Sequence, residues 1–129
     1  MLVGPVQVYL TKWMARFSRR EGISHASLLD AIQRAERGLI DVDLGGGLIK
    51  QRVARRGKGR SGGYRTLIAY RRGHRAFFIL GFAKSELENI GRDQLRTTRE
   101  IAAVLMATPN DVLARKVADG ELEEVAYGN

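Results

Sequence analysis

Residues 48–84 run LIKQRVARRGKGRSGGYRTLIAYRRGHRAFFILGFAK. Side chains alternate across a β-strand with period two. In Leu48–Arg55 this places Lys50 and Arg52 on one face and Ile49 and Val53 on the other. In Tyr64–Arg71 it sets Arg65, Leu67, Ala69 and Arg71 against Tyr64, Thr66, Ile68 and Tyr70. Arg72-Gly73-His74 marks a hairpin turn. Arg75–Phe82 is almost wholly apolar, the pattern of a strand covered on both faces and therefore central. The stretch predicts three strands, joined by a Gly-rich basic loop at residues 57–63 and by one tight turn.

The charge is as uneven as the hydropathy. From Leu44 to Ser85 there are 11 Lys or Arg and no Asp or Glu, whereas the rest of the chain carries all 14 acids and nets −3. The overall +8 is therefore local to the sheet. Mutual repulsion in such a cluster opposes folding, and a polyanionic partner is the simplest use for it.

Outward from the sheet, Val6–Thr11 predicts a first strand. Lys12–Arg20 spaces Trp13, Met14 and Phe17 as a short helix ending at Gly22, with Trp13 and Phe17 expected in the core. Ser24 suits the N-cap of a second helix whose apolar stripe is Leu28, Leu29, Ile32 and Ala35, and Gly38 stands where a C′ glycine belongs. Leu39–Gly47 is expected to be a loop, with Gly45–Gly47 allowing turns closed to other residues. Beyond Lys84 the period becomes helical. Gly91 can cap a helix with the stripe Leu95, Thr98, Ile101, Ala102 and Leu105. Pro109 at N1 opens a last helix to about Ala118, followed by the acidic ELEEV. The whole, residues 1–129, predicts a single α+β domain.

Several classes are excluded. With no Cys there are no disulfides, and with only two His, at 25 and 74, no spacing suggests a metal site. No apolar run approaches the roughly 18 residues of a membrane span, and the start lacks a signal-peptide pattern, so a cytoplasmic protein without membrane contact is expected. GKGRSGG fails the spacing of a nucleotide-binding P-loop and joins two strands. No small-molecule cofactor is implied.

Chemistry is best sought among the bases. Lys50 and Arg52 share a face, and Arg65 can join them from the next strand, an arrangement able to grip a phosphate or stabilise a phosphoryl-transfer transition state. Arg55, Arg56, Lys58 and Arg60 fall at the strand end and in the loop. Arg71, Arg72 and Arg75 frame the far turn. Tyr64 is expected to pack against a helix. Tyr70 can stack on a base or pack. A lone turn histidine such as His74 is more often exposed than catalytic.

The pieces LGGG, IKQRVAR, SGGYR and GFAKSE together resemble the RelE/ParE-type toxins of bacterial type II toxin–antitoxin systems, with closest similarity to the RelE/HigB-like subgroup, over about Thr11–Val125. The resemblance implies N-terminal helices packed on a curved, mostly antiparallel sheet, with C-terminal helices. It implies a cognate antitoxin protein as partner. It further implies a metal-independent mRNA endoribonuclease working on the ribosome, in which the 2′-OH attacks the adjacent phosphate, and so an arrest of translation. ParE-like members instead poison DNA gyrase, and a non-catalytic basic module binding RNA or the ribosome is a third possibility. By position, Lys50, Arg52 and Arg65 match the catalytic bases of the RelE-like nucleases, and Lys84 is a base kept just after the last strand and counted with them. Arg55, Arg56, Lys58, Arg60, Tyr70 and Arg71 are expected to contact RNA. After the last strand the chain departs from the pattern, with Ser85 in place of an Arg and no Tyr nearby. The proton donor is open among Lys84, Tyr70 and His74.

Overall fold

The computed structural model describes residues 6–55, 59–83 and 90–127, the side chains of 59–62 excepted. The apolar segment Arg75–Ala83 (β5) lies inside a six-stranded sheet, as its composition requires. The other strands are β1 (Gln7–Thr11), β2 (Val42–Gly45), β3 (Leu48–Arg55), β4 (Gly59–Arg71) and β6 (Leu122–Glu124), in the order β2-β3-β4-β5-β1-β6. All neighbours are antiparallel except β1 and β5. Four helices complete the described residues: α1 (Lys12–Glu21), α2 (His25–Glu36), α3 (Arg92–Ala107) and α4 (Asn110–Ala118).

The period-two alternation sorts the core into two layers. Ile49, Val53, Ile68 and Phe78 face α1 and α2, where they meet Met14, Phe17, Leu28 and Ile32. Leu48, Leu67, Phe77 and Ile79 face the other way, onto Ala102, Leu105 and Leu113 of α3 and α4. Each fully buried aliphatic or Phe side chain contributes about 1.5–3 kcal/mol. The α+β architecture is the expected one; the N-terminal helices cover one face of the sheet and the C-terminal helices the other.

Local signals set the helix ends. The Thr11 hydroxyl accepts from the Met14 N–H at 3.2 Å and donates to the Ile79 carbonyl at 2.6 Å, so one side chain caps α1 and ties it to β5. Ser24 accepts from the Ser27 N–H at 3.1 Å. Gly22 and Gly38 end α1 and α2 in the left-handed conformation. Gly81 has a packing role: a Cβ there would lie 2.5 Å from the Phe17 ring, so its absence lets α1 rest on the sheet.

Four expectations need correction, and one strand, in the acidic tail, was not expected. Part of the expected loop 39–47 is strand: Val42–Gly45 pairs with β3 across a turn in which Gly45, Gly46 and Gly47 all have positive φ. The basic loop is shorter than 57–63, because β4 starts at Gly59, opposite Arg55, after a register shift between Val53 and Arg55. The pairing there is made by backbone, so no side-chain alternation announces it. The acidic tail forms β6, which pairs with β1 at the sheet edge, where charged residues suit the solvent. Pro109 is the N-cap of α4, one residue before N1. Trp13 is 54% exposed; Met14, fully buried, takes the core position beside Phe17.

Candidate functional site

Strand register decides which bases meet. Arg52 and Arg65 are direct cross-strand partners, and Lys50, opposite Leu67, lies two residues along the same face. Cβ atoms of such partners lie about 4.5–5.5 Å apart, and like charges placed so are destabilising. Arg65 in turn pairs with Phe82 of β5. Lys50, Arg52 and Arg65 are each partly buried. The three bases are thus gathered on the face that also carries Leu48, Leu67 and Ala69.

The two arginines differ in their surroundings. Arg52 is held by Asp41: one carboxylate oxygen accepts from the Arg52 N–H at 2.7 Å, and the other from its guanidinium at 3.3 Å. Arg34, 5% exposed at the side chain, donates to the Arg52 carbonyl, pairs with Asp30 at 3.2 Å and stands 3.7 Å from Asp41. Burial alone would raise the Asp41 carboxyl. The Arg52 N–H, the Arg52 guanidinium and the charge of Arg34 outweigh it and hold the carboxyl below its ordinary value. Arg65 has no such hold: its buried Nη1 has no hydrogen-bond partner among the described residues. An unsatisfied buried donor on a charged group is costly to the fold.

A polar bracket supports this arrangement. Gln51, fully buried on the inward face of β3, donates to the carbonyls of Ala31 and Leu39, both at 3.0 Å, and accepts from the Asp41 N–H at 2.9 Å. Asp41, Arg34 and Gln51 were not among the expected site residues. The available signal was Gln51 itself: a glutamine between Ile49 and Val53 on an inward face must find partners nearby.

The remaining bases are scattered. Arg55 emerges on the opposite face and lies over the Tyr64 ring, 5.8 Å from its centroid. Tyr64 packs edge-on against Phe17, as expected for a packing residue, and donates to Glu21 at 3.1 Å; burial and then Glu21 raise its phenol. Tyr70 does not join the site. It is buried on the α1–α2 face, donates to Glu36, and has its phenol raised by burial and then by that carboxylate. The C-terminal Tyr127 packs on the same side, raised by burial and Glu36. Arg71 is exposed at the far end of β4, opposite Arg75, and His74 is exposed in the adjoining turn. Arg56, Lys58 and Lys84, and the side chain of Arg60, lie outside the described residues.

Arg75 has a purely internal task. It is 4% exposed, and its guanidinium donates to the carbonyls of Leu105 (3.4 Å), Met106 (3.2 Å) and Thr108 (2.6 Å) and to the Asn110 side chain (2.8 Å). It closes the C-terminus of α3, where a cation suits the helix dipole, and anchors the start of α4.

Among the described residues no three His, Asp or Glu side chains are grouped to hold a metal, and no helix is long and apolar enough to cross a membrane. No curated protein matches the chain. A family model described as the RelE toxin of the RelE / RelB toxin–antitoxin system matches residues 6–125. That span takes in the whole sheet, both helical layers and the Arg52–Arg65 pair, and the chain belongs to the RelE toxin family, whose members pair with an antitoxin.

Proposed function

We propose that this toxin is an mRNA endoribonuclease that acts on the ribosome, and that Arg52 and Arg65 bind the phosphate at which it cuts. The observation that carries the reading is the direct cross-strand pairing of Arg52 with Arg65, with Lys50 on the same face. Two arginines at directly paired strand positions can offer their guanidiniums to the non-bridging oxygens of one phosphodiester.

In the proposed reaction the ribose 2′-OH attacks the adjacent phosphorus while its proton leaves to a base. The P–O5′ bond breaks, the 5′-oxygen gains a proton, and a 2′,3′-cyclic phosphate remains. The crowded dianionic transition state carries more charge on its oxygens than the ground state does. Guanidiniums already in place therefore stabilise the transition state preferentially. Lys50 adds a third positive charge on the same face, so the charge can be met without a metal ion. For the proton donor, Tyr70 and Tyr127 on the opposite face and His74 at the far turn are poorly placed. Lys84, which follows β5 in sequence, is the candidate donor that remains.

The test is incubation of the purified toxin with ribosomes translating a defined message, followed by mapping of cut ends. Wild type is expected to cut and Arg65→Ala to lose at least about 100-fold in rate, the scale of one lost transition-state donor. Arg65→Ala cutting at the wild-type rate would remove the site assignment. Inhibition of DNA supercoiling without any RNA product would replace the nuclease reading with a gyrase-directed one. Retained, salt-sensitive binding without product would replace it with a binding module.

A further inference from the structure

Arg52 is the most constrained cation on this surface. Its N–H and its guanidinium are both held by Asp41, and its carbonyl is held by Arg34. Asp41 is itself positioned through its N–H by Gln51, whose other two bonds reach α2 and the segment leading to β2. A free arginine facing another arginine would turn away from it, because repulsion and side-chain entropy both favour dispersal. The Arg52 side chain is 44% exposed and still has surface to offer a ligand, while the Asp41 side chain is 20% exposed.

We propose that Asp41 is a positioning residue that holds the Arg52 guanidinium beside Arg65 for transition-state binding. The proposal rests on the nuclease reading above. It carries a consequence that a general structural role would not. Asp41 also offsets part of the Arg52 charge, so it opposes simple electrostatic attachment of RNA while favouring catalysis. Binding and turnover are therefore separated at this position.

The variant Asp41→Asn keeps an oxygen to accept from the Arg52 N–H and removes the charge. With ribosomes and message, its cleavage rate at saturation is expected to fall at least tenfold. Its affinity for a message carrying a 2′-deoxy residue at the cut position is expected to be equal to or tighter than that of wild type. In an Arg52→Gln background the same change is expected to have no further effect on cleavage, since Asp41 acts through Arg52. Rates are taken per folded molecule, from urea titration of each variant. If Asp41→Asn does not fold, Asp41→Glu decides: it keeps the charge but moves the carboxylate outward by one methylene. Cleavage lowered at least fivefold with binding retained supports the proposal. Wild-type cleavage by the folded variant, or parallel loss of binding and cleavage, overturns it. A wild-type toxin that leaves the message intact overturns the nuclease reading and, with it, the role of Asp41. A cutting wild type matched by its Asp41 variant overturns that role alone.

Discussion

Four arginines show how little a residue type says until its neighbours are known. Arg34 and Arg75 are buried and serve the fold, Arg52 is gripped by an acid, and Arg65 faces Arg52 across the strand pair with no acid holding it among the described residues. Replacing Arg75 by Met would strand the carbonyls at the end of α3. We expect a loss of about 3 kcal/mol in urea unfolding, with cleavage per folded molecule unchanged. Replacing Arg65 by Ala removes a like-charge contact, so stability is expected to hold or rise while cleavage falls. Asp41 gives a pH dependence of definite sign. Its folded pKa is depressed, so its stabilisation is present above the ordinary value of 3.8 and is lost as pH falls through the lower folded value. Urea midpoints of wild type and Asp41→Asn should therefore differ at pH 6 and converge as the pH falls through the lowered folded value. Alternation within β3 was enough to place Lys50 and Arg52 together. The hold of Asp41 on Arg52 was not readable, because it depends on how a turn of chain outside β3 folds back on it. Arg75 was expected merely to frame a turn, since the helix end it closes is distant in sequence.

At the scale of elements, the legible parts were those with a side-chain period. β3, α2, α3 and the central β5 each declare themselves by which positions are apolar. β2 and β6 do not, because they are short, edge-facing and polar, and what defines them is backbone pairing to a neighbour. The start of β4 was hidden for the same reason, in a run of Gly, Arg and Ser. Gly63 marks where that pairing is tightest: a Cβ there would stand 2.1 Å from the Val53 carbonyl oxygen. Backbone cannot yield as a flexible side chain can. Gly63→Ala is therefore expected to destabilise by at least about 1–3 kcal/mol and to disturb the Arg52–Arg65 register. Amide exchange should show faster opening of the β3–β4 ladder in that variant than in wild type.

For the whole molecule, charge and fold answer different questions. The two helical layers account for the core. The net charge of +8 is needed by neither layer and is concentrated on β3, β4 and their connections. A surface of this kind steers the protein toward polyanions and is screened by salt. If Lys50, Arg52, Arg55 and Arg65 contact phosphates of single-stranded RNA, log K should fall with log salt at a slope near −3, and Arg65→Ala should lessen that slope by about 0.7. The most direct measurement remains end-mapping of a message translated in the presence of the purified toxin. The account predicts cuts within ribosome-bound codons, ending in 2′,3′-cyclic phosphate and absent with Arg65→Ala. An intact message in the presence of folded wild-type toxin would contradict it.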